Sequence, residues 1–230
     1  MNIDFNFSED LVGEALVELE TKHNIHRQDL FIQTKFTPIN GQDRSKPLPY
    51  DPRASLVEQV QQSFATSLKN LRTNYVDSLV LHSPLSTHEL TMEVYRVFEK
   101  FVDDGRVKQL GISNLYDYNR LKQLYNDARH KPSVIQNRFY ADTNFDCEIR
   151  RFCREKNIFY QSFWTLTGQN TNQKRFLSKL ILLIYFSSKS TNSRTSICSK
   201  ISTRTSWYAR SNILSFPIRH RCNTVNWHNK

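Results

Sequence analysis

The chain has 230 residues, of which 38% are hydrophobic and 23% charged, so it can bury the core of one α/β domain. Its formal net charge of +10 would suit a nucleic-acid or anionic-membrane partner. That charge belongs to the end of the chain, because residues 169–230 hold 11 of the 32 Lys and Arg residues and none of the 22 acidic ones. The other 168 residues are nearly neutral, which argues against nucleic-acid binding by them.

The remaining bulk features point to a cytoplasmic protein. Cys147, Cys153, Cys198 and Cys222 form no CxxC pair and have no histidines at metal-ligand spacing, so reduced thiols and no metal are expected. The longest apolar run, residues 180–186, is far shorter than the roughly 20 residues of a membrane helix. The N-terminus shows no signal-peptide pattern.

Helical and strand-like patterns alternate along the first 168 residues. Ser8 is expected to cap the first helix, and residues 55–71 form the clearest amphipathic helix. Thr87 is expected to cap a third helix that ends at Gly105. Two more helices are predicted over 117–129 and 146–156. Strands are predicted over 30–36, 76–82, 107–113, 134–140 and 158–163.

This alternation predicts parallel strands joined by right-handed crossovers, in an open doubly wound sheet or a closed barrel. The open sheet's dinucleotide fingerprint, GxGxxG after the first strand, is absent. Polar residues end almost every predicted strand rather than one switch point, which also favours the barrel. We therefore predict an incomplete (β/α)8 TIM barrel with about five to six recognisable units over residues 1–168. A poorly ordered basic tail, 169–230, would follow it.

Polar side chains at the strand ends would meet at one mouth of such a barrel. Taken singly, Lys35 can be an exposed strand-end lysine and His82 a hydrogen-bonded structural group. Amides such as Asn114 and Gln136 can simply satisfy backbone groups. Their convergence favours a functional site. The full set is Lys35, His82, Ser113, Asn114, Gln136, Gln161, Ser162 and Phe163.

Such a set suits reduction of a carbonyl by a nicotinamide. Hydride attack builds negative charge on the carbonyl oxygen, which needs a hydrogen-bond donor and then a proton. A neutral His82 can donate to that oxygen, and a buried Lys35 can lower the pKa of a neighbouring tyrosine. The Ser113 hydroxyl and the strand-end amides can bind the nicotinamide carboxamide, and the Phe163 ring can stack on the nicotinamide.

Four segments resemble the aldo-keto reductase family in their order and spacing. They are Phe-Ile-Gln-Thr-Lys at 31–35, Asp-Ser-Leu-Val-Leu-His-Ser-Pro at 77–84, Gly-Arg-Val-Lys-Gln-Leu-Gly-Ile-Ser-Asn at 105–114 and Val-Ile-Gln-Asn-Arg-Phe-Tyr at 134–140. Residues 8–16 also resemble the family helix that follows the catalytic tyrosine. The resemblance covers about residues 8–168.

By that resemblance the fold is a (β/α)8 barrel, the cofactor is NADPH, and the reaction reduces a small aldehyde or ketone to an alcohol. The matching positions are Lys35 and His82 for the family's catalytic lysine and histidine, Ser113, Asn114 and Gln136 for its contacts to the nicotinamide amide, and Phe163 for its stacking aromatic.

Two parts of the family pattern are not found. The family's catalytic aspartate and proton-donating tyrosine precede the helix that begins here at Ser8. Asp4 lies too close to that helix for the usual spacing, and the tyrosine position is either vacant or filled by Phe5 or Phe7. The family's eighth strand and its loop for the adenosine phosphate are not found in 169–230. The resemblance therefore implies weak or lost activity.

The tail, 169–230, differs in character from the rest because it lacks Gly, Asp and Glu. We expect a truncated start and a tail that comes from a shifted frame or an unspliced intron, as in a pseudogene product. One alternative to a reductase is a non-catalytic relic that binds nucleotide or a protein partner. A nucleic-acid binder acting through the tail is the other, and the scattered Lys and Arg residues disfavour it.

Overall fold

The computed structural model describes residues 8–139, 141–164 and 185–186, in which helices and strands alternate as predicted. Observed bounds agree with the predicted ones to within two residues, except that the first predicted strand is interrupted at Ile32. The helices are α1 (Glu9–His23), α2 (Leu56–Asn70), α3 (His88–Asp103), α4 (Tyr118–Asp127) and α5 (Cys147–Glu155). The strands are β1 (Leu30–Phe31), β2 (Gln33–Phe36), β3 (Val76–Leu81), β4 (Val107–Ser113), β5 (Val134–Arg138), β6 (Phe159–Phe163) and β7 (Tyr185–Phe186).

The interruption at Ile32 is caused by the buried Asp77 carboxylate. The Ile32 N–H donates to Asp77 Oδ2 at 2.9 Å, while the Ile32 carbonyl accepts from the N–H groups of Asp77 and Ser78. The same carboxylate pairs with Arg27 and Lys108, each at 2.8 Å, which offsets the cost of burying it. This cluster ties the amino end of β3 to its neighbours, at the edge opposite the predicted site.

Side chains cap α2 and α3, and of these two caps the one at Thr87 was predicted. Ser55 and Thr87 each accept the N–H of the third residue of the helix that follows, at 3.3 Å. Gly105 follows α3 with a φ of 72°, a conformation that glycine adopts without steric cost. The predicted cap at Ser8 is wrong in detail, because its hydroxyl bonds to the Asp10 carboxylate and makes no cap to the backbone.

Strands β2 to β6 form one parallel sheet whose spatial order is their order in the chain. In a doubly wound sheet the order in which strands are added reverses at a switch point. Here each crossover adds the next strand on the same side of the sheet. The register pairs Lys35 with Val80, Val80 with Gly111, and Gly111 with Val134. Addition in one direction is the pattern of a (β/α)8 barrel.

The sheet is also curved. Neighbouring strands lie about 4.8 Å apart, so β2 and β6 would be about 19 Å apart in a flat sheet. Gln33 of β2 nevertheless donates from Nε2 to Oε1 of Gln161 of β6, at 3.1 Å. Two glutamine side chains are too short to span the flat sheet, so its ends must bend toward each other. This confirms the predicted fold class, an incomplete barrel with parallel strands.

Helices α2, α3 and α4 cover the outer face of the curved sheet. Phe64 of α2 and Phe101 of α3 stack with their ring centroids 4.4 Å apart. Gly13 of α1 lies against α2 so closely that a Cβ there would be 2.0 Å from the Asn70 carbonyl oxygen. The outer-face residues of the strands complete this core, among them Leu79, Leu81, Leu110, Ile112 and Ile135. The alternate strand residues therefore point into the barrel interior.

Glu99 joins α3 to the turn that leads into β5. It is 1% exposed, and its Oε1 accepts the N–H groups of Arg129 and His130 at 2.6 and 3.1 Å. Its Oε2 accepts from Arg96 at 2.9 Å. Replacing Glu99 by Ala leaves two backbone donors without their acceptor, so we expect the free energy of unfolding to fall by about 2–4 kcal/mol.

Urea denaturation followed by circular dichroism measures this effect. The matched control is Glu93→Ala, which removes an exposed glutamate from the same helix and should change stability by less than about 0.5 kcal/mol. Equal midpoints for the two variants would show that Glu99 does not hold the turn.

Several predictions made from the sequence concern residues outside the described ones. These are the tail from residue 169 onward, apart from the pairing of β7 with β1, and Asp4, Phe5 and Phe7. Where the structure describes the chain, it contains no helix with the length and apolar composition to cross a bilayer. The same residues hold no cluster of three His, Cys, Asp or Glu side chains suited to a metal.

Candidate functional site

The predicted site residues lie at one edge of the sheet, and all but two of them share its inner face: Asn114 follows the last residue of β4, and Ser162 alternates to the outer face of β6. Lys35 and Val80 are register partners, and His82 follows Val80 by two positions, so both polar side chains point into the barrel interior. Ser113 and Gln136 are register partners on the same face, at the carboxyl ends of β4 and β5. The structure therefore brings the strand-end groups together as the alternation of side chains requires.

Lys35 carries a positive charge into a partly buried position. Burial lowers the pKa of its amine from 10.5 to about 8, and no acidic side chain of the described residues lies close enough to counter this. The amine is still mostly protonated at neutral pH. It thus provides a cation that bulk water screens only in part.

The His82 imidazole lies close enough to Lys35 to feel its charge. Burial lowers the pKa of the ring, and the Lys35 charge lowers it further, so the ring is neutral at neutral pH. Its Nδ1 is buried and has no hydrogen-bond partner within the described part of the chain. Gly41 packs against the ring, since a Cβ there would lie 3.3 Å from Nδ1. The ring therefore enters the site as a neutral group that can donate a hydrogen bond from one nitrogen and accept one at the other.

Asn114 links the ends of β3, β4 and β5. It has a φ of 54°, its N–H donates to the Gln136 carbonyl at 3.1 Å, and its Nδ2 donates to the His82 carbonyl at 2.8 Å. Tyr116 donates to its Oδ1 at 3.1 Å. The Ser113 hydroxyl donates to the Gln136 carbonyl at 2.6 Å. Both side chains therefore hold the strand ends, and their oxygens keep further lone pairs for a ligand.

Three glutamines form a hydrogen-bonded group beneath these strand ends. Gln161 Oε1 accepts from Gln136 Nε2 at 2.9 Å and from Gln33 Nε2 at 3.1 Å. Phe163 is two residues beyond Gln161 on the same face, and Trp164 packs edge-on against it at 6.4 Å. Gln33 was not among the predicted site residues. The available signal was its position two residues before Lys35, which places it on the same face of β2.

A sequence model of the Aldo/keto reductase family matches residues 5–176. Glyoxal reductase of Bacillus subtilis is 30% identical over 151 residues, covering 66% of this chain and 47% of that protein. Glycerol 2-dehydrogenase (NADP(+)) of Hypocrea jecorina is 27% identical over 189 residues, covering 72% and 54%.

A solved structure gives the same picture. The crystal structure of an aldo/keto reductase from Brucella melitensis is similar with a TM-score of 0.54 and 30% identity. The similarity covers 70% of this chain and 55% of that one. The chain spans about half the length of the curated relatives it matches.

Proposed function

Because the chain belongs to the aldo/keto reductase family, we propose that it binds NADPH at the carboxyl edge of β2–β6 and reduces a small aldehyde or ketone. Glycerol 2-dehydrogenase (NADP(+)) and glyoxal reductase, two relatives, support this class of cofactor and substrate by their names. The observation that carries the proposal is the joint placement of Lys35 and His82 on the inner face at the carboxyl ends of β2 and β3, where burial and then the Lys35 charge lower the pKa of the imidazole.

The residues at this edge fit a nicotinamide. The carboxamide needs acceptors and donors, which the Ser113 oxygen and the Asn114 and Gln136 amides supply. The Phe163 ring, on the same face, offers a flat apolar surface for stacking. When bound, NADPH supplies a hydride to the carbonyl carbon of the substrate.

This chain's own residues act on the carbonyl oxygen. The neutral His82 imidazole donates a hydrogen bond to it, and this bond strengthens as negative charge develops there. The Lys35 ammonium stabilises the same charge in a site of low polarity. In the family a tyrosine donates the proton, and no tyrosine precedes the helix that begins after Ser8 in this sequence, where Phe5 and Phe7 stand instead. Turnover is therefore expected to be weak, and NADPH binding is the more robust property.

Titration of the full chain with NADPH, followed by quenching of protein fluorescence, tests binding. Replacing Gln136 by Leu removes an amide from the proposed carboxamide site, and we expect the Kd for NADPH to rise about 5- to 20-fold. The control is Gln61→Leu, which changes an exposed glutamine on α2 and should leave the Kd unchanged. Equal affinities of the wild type and Gln136→Leu would contradict the proposed site.

A second measurement distinguishes the reductase from its alternative. Loss of NADPH absorbance at 340 nm with a simple aldehyde supports a reductase. Binding of NADPH without turnover supports the non-catalytic relic. Absence of NADPH binding by the folded wild-type chain would contradict both.

A further inference from the structure

We infer that Gln33 and Gln161 are positioning residues that fix the Gln136 amide for the nicotinamide carboxamide. This inference rests on the proposed function and adds two residues to its site. It begins from one shared atom, Gln161 Oε1, which accepts hydrogen bonds from both Gln33 Nε2 and Gln136 Nε2.

The bond to Gln161 decides which end of the Gln136 amide is available. Gln136 is 7% exposed, and its Nε2 donates to Gln161 Oε1 at 2.9 Å. An amide is planar, so fixing the nitrogen on one side directs the carbonyl oxygen to the other. Gln136 then presents an acceptor, which is the group that the carboxamide NH2 of a nicotinamide requires.

Gln33 fixes Gln161 in turn. A glutamine side chain has three rotatable bonds, and a single hydrogen bond to Gln136 would leave the Gln161 amide free to rotate. The second bond, from Gln33 at 3.1 Å, holds the Gln161 oxygen between two donors. A side chain that is already ordered loses little conformational entropy when the ligand binds. This arrangement should therefore raise the affinity for the carboxamide.

The curvature of the barrel makes the contact possible. Gln33 and Gln161 belong to the first and last strands of the parallel sheet, and they meet only because the sheet bends. Gln33 Oε1 is buried without a hydrogen-bond partner in the described residues, which carries a cost in stability. An apolar side chain of the same size would fill this space without an unpaired oxygen. The bond to Gln161 therefore explains a glutamine at this position better than packing does.

The test compares two ligands. NADPH contains the carboxamide, whereas 2′,5′-ADP contains only the adenosine half. For Gln33→Leu in the full chain we expect the Kd for NADPH, from fluorescence quenching, to rise about 3- to 10-fold, the loss of one hydrogen bond. The Kd for 2′,5′-ADP, from calorimetry, should stay within about twofold of the wild-type value. A merely structural role would weaken both ligands together.

The matched control is Gln109→Leu. Gln109 pairs with Ser78 in register, so it lies on the same inner face, but it makes no bond to Gln161. It should alter neither Kd. If Gln33→Leu does not fold, Gln33→Met keeps the length of the side chain without adding a charge and removes the donor, and the same selective loss is expected.

The outcomes separate the inference from the function beneath it. An unchanged Kd for NADPH in the Gln33 variant, or an equal loss for both ligands, would overturn the inference alone. A wild-type chain that binds 2′,5′-ADP but not NADPH, or neither, would overturn the proposed function and the inference together.

Discussion

Replacing Lys35 by Met is expected to remove carbonyl reduction and to stabilise the fold. The ammonium balances charge on the substrate oxygen, so its loss should lower turnover by at least about 100-fold. The folded protein also keeps this charge partly buried, which lowers its pKa from 10.5 to about 8. Met fills similar volume without charge, so we expect the free energy of unfolding at pH 7 to rise by roughly 1–3 kcal/mol.

The pH dependence of this gain follows from the direction of the pKa shift. Below pH 8 both the folded and unfolded wild-type chains hold the Lys35 proton, and the folded one bears the full cost of the buried charge. Between pH 8 and 10.5 the folded chain releases that proton while the unfolded chain keeps it. Wild-type stability from this group therefore rises with pH across that window. The advantage of Lys35→Met should shrink over the same range and vanish above it.

Denaturation midpoints at pH 7, 9 and 10, together with NADPH oxidation rates, measure both effects. Lys100→Met is the control, because Lys100 is an exposed lysine on α3, far from the strand ends in sequence. It should change neither quantity. A Lys35→Met chain that is less stable than the wild type at pH 7 would show that the Lys35 charge is compensated rather than costly.

Replacing Gly111 by Ala is expected to damage both the fold and the site. Gly111 is a buried residue at an inner-face position of β4. A Cβ added there would lie 2.7 Å from the Val134 carbonyl oxygen and 2.9 Å from Val134 Cβ. Neither atom belongs to a flexible side-chain end, so β4 and β5 would have to separate. We expect a loss of about 2–4 kcal/mol in the free energy of unfolding.

The same separation would move Ser113 away from Gln136, because they are register partners two positions beyond Gly111 on the same two strands. NADPH affinity should therefore fall with stability, which urea denaturation and fluorescence titration can follow in parallel. Gly105→Ala provides the comparison. Gly105 has a φ of 72° and no atom near the position of an added Cβ, so Gly105→Ala adds backbone strain without a steric clash. It should lower the free energy of unfolding by about 1 kcal/mol without changing the Kd for NADPH. Similar losses of affinity in both variants would argue against a steric effect at β4.

Local patterns were sufficient for most of the secondary structure. The strand over 107–113 was predicted with its observed bounds, because a short, mostly apolar run that starts after Gly105 and ends at polar residues is typical of a buried strand. The interruption at Ile32 was not predictable in this way. It depends on Asp77, 45 residues later in the chain, whose carboxylate takes the Ile32 N–H.

In the candidate site, too, some features follow from local patterns and others depend on long-range contacts. The sequence by itself determined which strands carry Lys35, His82, Ser113 and Gln136 at their ends, since alternation along a strand and parallel pairing are local properties. Only the tertiary structure decided that Gln33 meets Gln161, because that contact depends on how far five strands curve together. It also decided the low pKa of Lys35, which depends on burial by residues distant in the chain. Periodicity fixes the face on which a side chain lies, but long-range packing sets the environment it finds there.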